Sequence, residues 1–382
     1  MTRRELLALA AMAPIAGTRA AFAKEAPVAP VSIAKVPSYS DDLVASISKM
    51  FDQIGGAGKL VKNKTVAIKL NLTGSPGQRF QGRPLGSTHY THPSTVMAMV
   101  KVLDNAGAKR IRLLESCFVT AAPMEEFLLD SGWNVRALQN MSKIVEFENT
   151  NFAGKVKKYS RLQVPSGGYI FPAYDVNHSW EDTDVVMSMA KLKNHATCGV
   201  TLAMKNMFGI TPASIYGDDA GVDGPNENPA SGRGTVCHIG KRGPSKTAPQ
   251  EKDPHSSRAA GYRMPRIVAE LNAMRPINIS FIDGIESVTG GEGPWVRGLK
   301  FVKPGVMVLG TNAVCTDTVA TAVMGYDPRS PKGKFPFAGC DNSLLLAEGL
   351  GVGSADLKRI EVVGASIESA KFDFGQNATP AV

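Results

Sequence analysis

At 382 residues, with 43% hydrophobic and 20% charged positions, the chain can form one large or two ordinary domains and is not a disordered or fibrous sequence. Its 43 Lys and Arg against 34 Asp and Glu give a formal charge of +9, a balance that favours anionic ligands. The charges are scattered, without the concentrated basic stripe that nucleic-acid binding needs, so no nucleic-acid partner is expected.

In chain order, the first feature is Arg3 and Arg4 placed directly before an apolar run that ends near Ala16, with Ala21, Phe22 and Ala23 forming a small-x-small cleavage site. This pattern reads as a twin-arginine export signal over 1–23, with Lys24 opening the mature chain. The expected location is therefore periplasmic or otherwise exported, and the twin-arginine machinery is an expected partner. The apolar run is too short to span a bilayer of about 30 Å, and no later stretch of about 18 apolar residues exists, so no stable membrane span is expected.

Residues 24–59 read as a Pro- and Ala-rich leader followed by a first helix, capped by Asp41 or Asp42 and apolar at Leu43, Val44, Ile47, Met50, Phe51 and Ile54. An α/β domain is expected over 60–364. Strand 65–71, a helix from Pro93 to Gly107 and strand 111–115 make a βαβ unit with a long first loop. A helix at 123–129, a strand at 143–148, a hairpin within 155–171, a strand at 184–189 and a helix at 199–208 follow. Gly, Pro, Asn, Asp, Ser and Lys then dominate 211–262 without an apolar period, which predicts an irregular loop or lid. Helix 264–273, strands 277–282 and 306–309, helices 313–324 and 342–350, strand 359–363 and a C-terminal tail at 365–382 complete the chain. The alternation specifies an α/β fold with a mostly parallel sheet built from βαβ units and a long irregular insertion.

Ligands of open α/β sheets bind beyond the carboxyl ends of strands. Lys69 and Asn71 follow the first strand of the βαβ unit. Lys191 and Lys193 share a side of an extended segment and are expected to meet Lys205 at a helix start, where free N–H groups and the dipole favour an anion. Lys205 and Asn206 interrupt the otherwise apolar run VTLAMKNMFG at 200–209, and a charge on a buried helix needs a partner. His195 can move a proton, and Asp283 with Glu292 can serve as acid/base groups or as ligands of a divalent metal. His89, His92, His195, His238 and His255 show no local metal spacing. Cys117, Cys198, Cys237, Cys315 and Cys340 contain no C-x-x-C, so no local iron-sulfur motif is present; their odd number leaves at least one free thiol, and their pairing is open.

Several motifs recur together: VAIKLN at 66–71, THPSTV at 91–96, LES at 114–116, KLKNH at 191–195 leading into 200–209, IDGI at 282–285 with GEGP at 291–294, and GTNAVCTD at 310–317. In this order they resemble the domain-of-unknown-function 362 family over about residues 60–330, the K-x-K-x-H to KNxFG block being the most specific part. The resemblance implies an α/β domain often joined to a four-iron ferredoxin segment, which this chain lacks. It also singles out Lys69, Asn71, Lys193, His195, Lys205, Asn206, Asp283, Glu292 and Asp317. The site expected from residues and resemblance together has His195, Lys193 and Asp283 as catalytic groups. Lys69, Asn71, Lys205, Asn206 and Asp317 bind the substrate, and Asp283 and Glu292 bind a metal. Three functions stay open: an exported enzyme or cofactor-dependent catalyst acting on a small anionic molecule, a metal- or iron-sulfur-associated redox accessory protein, and an interaction module.

Overall fold

A computed structural model describes residues 25–154 and 156–375. The export signal expected at 1–23 and the end of the tail lie outside the described residues. The fold is α/β, around an eight-stranded sheet with strands β1 (Val31–Lys35), β2 (Thr65–Lys69), β3 (Arg110–Glu115), β4 (Val145–Asn149), β5 (Val185–Lys191), β6 (Ile279–Gly284), β7 (Val306–Gly310) and β8 (Val362–Gly364). Their spatial order is β8-β1-β7-β6-β5-β2-β3-β4, and only β7 runs against the others. From β2 the chain moves outward through β3 to β4, then returns to the other side of β2 with β5. The gap between the carboxyl ends of β2 and β5 is therefore a topological switch point, where such sheets open a crevice.

Period-two alternation sends successive strand residues to opposite faces. Val66, Ile68, Ile111, Leu113, Met187 and Met189 pack with helices α1 (Leu43–Gln53) and α2 (Pro93–Asn105) on one face. The Asp42 carboxylate caps α1 by accepting the Ala45 N–H, while α2 combines a His92 cap with Pro93 in its first turn. On the other face Ala67, Leu114, Val186, Ala190 and Ile282 pack with helices α3 (Leu202–Asn206), α4 (Ala260–Met274) and α5 (Ala313–Val323). Each large apolar side chain fully buried this way contributes about 1.5–3 kcal/mol.

Four details differ from the sequence reading. The leader contains β1, paired on both sides in the sheet; Pro27, Pro30 and Pro37 flank its five residues and hide its pattern. The hairpin is formed by Tyr159–Gln163 and Ala173–Asn177, so its first strand and turn lie within the expected 155–171 and its second strand just beyond it. β5 and β6 run two residues beyond their expected ends, so Lys191 and Asp283 are strand residues. The helix expected at 199–208 is a bridge pair, Asn194–His195 with Gly199–Val200, followed by the short α3 and a 3-10 turn. The 211–262 segment has little regular structure, yet Ile215, Tyr216, Val236 and Cys237 are buried in the main core. No helix among the described residues is long and apolar enough to cross a membrane.

Candidate functional site

The carboxyl ends of β2, β3 and β5 surround a small cavity of about 50 Å³, room for roughly three to five waters, lined by Lys69, Asn71, Glu115, Lys193, His195, Thr201, Lys205, Asn206, Phe208, Arg233 and Glu292 among others. Its floor is a polar network. Lys69 Nζ lies 2.6 Å from Glu115 Oε1 and donates to Leu70 O and Asn206 Oδ1. Burial pushes the Lys69 amine down and the Glu115 carboxyl up, and their ion pair opposes both shifts. Asn206 Nδ2 donates to Lys69 O and Ser188 Oγ, leaving its Oδ1 to accept from Lys69 and from Asn71 Nδ2 at 3.0 Å. Gly209 is required above this network, because a Cβ there would collide with both the Glu115 carboxylate and the Lys69 ammonium.

The walls hold groups with donors to spare. Lys193 Nζ donates to His89 O at 2.7 Å and Glu292 O at 3.0 Å, leaving one N–H of its ammonium without a partner among the described residues. Burial lowers its pKa strongly; Glu292 opposes this, and Lys205, Lys191 and Lys69 add to it. Lys205 is 9% exposed and makes no hydrogen bond or ion pair among the described residues; its Nζ faces the Phe208 ring at 4.5 Å. Arg233 stands 5.1 Å from the same ring centre and donates to Thr211 O.

His195 and Glu292 form the remaining wall, with His195 Nδ1 3.9 Å from Glu292 Oε2. Burial drives the imidazole well below its usual pKa. Its Nδ1 accepts the Thr197 N–H at 3.1 Å, so the neutral ring carries its proton on Nε2. Burial raises the Glu292 carboxyl; a charged His195, the Ala196 N–H at 2.8 Å and the Trp295 indole N–H at 3.0 Å together would outweigh it and bring the pKa to about 2, whereas beside a neutral His195 only the hydrogen bonds lower it. A protonated His195 would suit that carboxylate, yet the Thr197 bond needs a lone pair on Nδ1. The hydrogen bonds therefore support an ionised Glu292 beside a neutral His195.

The structure brings together Lys69, Asn71, Lys193, His195, Lys205, Asn206 and Glu292. It does not bring in Lys191, Asp283 or Asp317. The strand ends at Lys191 instead of continuing straight to Lys193, so Lys191 stays on the α1/α2 face with Met187 and Met189. There it is the register partner of Asp283, with Nζ 3.0 Å from the carboxylate, 2.7 Å from Tyr39 Oη and 2.6 Å from Gly86 O. Tyr39 donates back to Asp283. Asp283 is thus neutralised away from the cavity and is not joined to Glu292 as a metal pair. Among the described residues no group of three or more His, Cys, Asp or Glu is placed to hold a metal ion.

Asp317, expected at the substrate, instead accepts the Ala203 and Met204 N–H groups at 2.9 and 2.8 Å. It occupies the helix start that was expected to receive the anion, next to Leu202 in a left-handed conformation (φ +43°). Burial raises the Asp317 pKa to about 8 against those two bonds. All five cysteines are free and buried, and His92 serves as a helix cap. Sequence reasoning missed Glu115, Phe208 and Arg233 as cavity residues. The only local signal for Arg233 is an arginine between two glycines, Gly232 and Gly234.

The model of the family described as domain of unknown function (DUF362) matches residues 66–322. The thylakoid-associated protein sll1697 of Synechocystis sp. is 29% identical over 188 residues, covering 48% of this chain and 51% of that protein. The match thus spans about half the length of that curated relative. The lactate racemase apoprotein from Thermoanaerobacterium thermosaccharolyticum aligns with 72% of this chain and 54% of its own, at 12% identity and a TM-score of 0.37. A Thermotoga maritima protein aligns over 71% and 56% at 15% identity and a TM-score of 0.34. Both structural likenesses are too loose to carry an argument about this chain.

Proposed function

The chain belongs to the DUF362 family, and on that premise we propose that it is an enzyme acting on a small anionic molecule held at the switch-point cavity. The observation that carries this reading is Lys205, a buried amine with no acceptor among the described residues, opening on the same cavity as the unused N–H of Lys193. A buried cation without a partner is unfavourable, and an anion supplies the missing partner. Arg233 adds a fixed positive charge, His195 offers its Nε2–H, and ionised Glu292 is the one cavity carboxylate not paired with a lysine side chain. These groups can bind an anion, orient it and exchange a proton with it.

Small carboxylates and inorganic phosphate should raise the melting temperature of the mature protein. Removing a charged donor from a desolvated contact costs about 1.5–3 kcal/mol, roughly 10- to 150-fold in affinity. Lys193→Met and Lys205→Met should therefore abolish the stabilisation. If no anion stabilises the wild type, or both variants respond as it does, the reading is wrong.

We also propose twin-arginine export of the folded chain, on the Arg3 and Arg4 pattern. Sequencing the mature N-terminus should find Lys24 first. Replacing Arg3 and Arg4 with lysines should retain the precursor in the cytoplasm, and normal export of that variant would refute the assignment.

A further inference from the structure

Four lysines are buried near the carboxyl ends of β2 and β5, and they differ in what their amino groups do. Lys69 Nζ is bonded to Leu70 O, Asn206 Oδ1 and Glu115. Lys191 Nζ is bonded to Gly86 O, Tyr39 Oη and Asp283. Lys193 Nζ donates to two carbonyls. Lys69 and Lys191 each have three acceptors including a carboxylate, which favour the ammonium, a form with no lone pair with which to attack a substrate, while Lys193 is tethered by its two carbonyls. Among the described residues, Lys205 Nζ alone of the four has no acceptor holding its protons.

The surroundings of Lys205 favour the free amine. Burial is the largest influence and lowers its pKa; the Arg233 charge acts in the same direction, while Cys198 and Glu292 oppose it. A desolvated lysine beside another cation is a recognised nucleophile toward carbonyl groups. Lys205 and Arg233 both line the one small cavity, so a ligand there that meets both carries its carbonyl and its carboxylate near each other. A cavity of about 50 Å³ limits that ligand to a few heavy atoms.

We infer that Lys205 is a covalent-catalysis lysine that condenses with the carbonyl of a small 2-oxo acid whose carboxylate is held by Arg233 and the free N–H of Lys193. The inference rests on reading the cavity as the site of a small anion. The Lys205 nitrogen forms a bond to the carbonyl carbon, both amine hydrogens pass to the carbonyl oxygen, and that oxygen leaves as water. The product is a C=N bond, and no oxidant or reductant is consumed.

Glyoxylate with sodium cyanoborohydride is the test, since hydride addition to the C=N carbon leaves a stable carboxymethyl group on the nitrogen. Peptide mass spectrometry of the mature protein should place that group on Lys205 ahead of the exposed lysines, with a yield that saturates in glyoxylate. Lys193→Met should raise the half-saturating concentration at least 10-fold. Lys205→Arg, which keeps a long basic side chain and cannot form the imine, should show only the slow background of the surface. If Lys205 stays unmodified while small anions still stabilise the wild type, this inference is overturned and the anion reading stands. If no anion stabilises the protein, both fall.

Discussion

Lys191 and Lys205 are both buried, at 0% and 9% exposure, on opposite faces of one sheet, and they have opposite surroundings. Lys191 is enclosed by Asp283, Tyr39 and the Gly86 carbonyl, so each of its three donors has an acceptor. Lys205 has an aromatic face and an arginine for neighbours, and no acceptor among the described residues. Burial lowers the pKa of both amines, so burial alone does not separate a structural lysine from one facing a ligand. Counting acceptors does separate them.

The comparison can be broken from its closed side first. Asp283→Ala leaves Lys191 as an uncompensated buried charge and should cost about 3–5 kcal/mol in denaturant unfolding; a loss below about 1 kcal/mol would show that the pair is not what holds Tyr39 and β6 together. Gly209→Ala pushes a methyl group into the Lys69–Glu115 pair and should cost about 1–3 kcal/mol by the same measurement. Glu292 sharpens the open side through pH. The Ala196 and Trp295 hydrogen bonds favour its ionised form and hold its folded pKa below the ordinary 4.5, so its stabilisation is full above about pH 4.5 and is lost as the pH falls through the folded value. Melting curves across that window should fall less steeply for Glu292→Gln than for the wild type, a difference on the order of 1–3 kcal/mol. The smallest effect belongs to Lys205→Met, which removes an amine without an acceptor among the described residues and keeps the side chain's length. Its unfolding free energy should change by less than about 1 kcal/mol, and a larger loss would reveal a structural partner for Lys205.

Much of the cavity was legible in the sequence because its residues sit in apolar runs where a polar group stands out. Lys69 ends a strand of Val66, Ala67 and Ile68, and Lys205 with Asn206 interrupts a nearly unbroken apolar helix. The assignments that moved depended on distant pairings. Asp283 and Lys191 are far apart in the chain, and only the adjacency of β5 and β6 sets them side by side. Asp317 looked like a ligand residue because nothing local shows that α3 begins beside it. Arg233 was invisible for another reason: the segment that carries it has no period, so no face could be assigned to any of its side chains. The α/β class itself was readable from the alternation of elements, whereas β1 was hidden by its flanking prolines.

The position of β1 has a consequence for the order in which the molecule can be made. It is the first of the described strands to be synthesised, yet both of its neighbours, β7 and β8, come from the far end of the chain. At about 5–20 residues per second, roughly tens of seconds separate the emergence of β1 from that of its partners. During that interval its backbone donors and acceptors have no strand to pair with. A chain interrupted before residue 306 lacks both neighbours and leaves this edge open, while a finished chain closes it from two sides. Order close to the amino end therefore reports that ribosomal synthesis has passed β7, which makes this strand an internal marker of completeness.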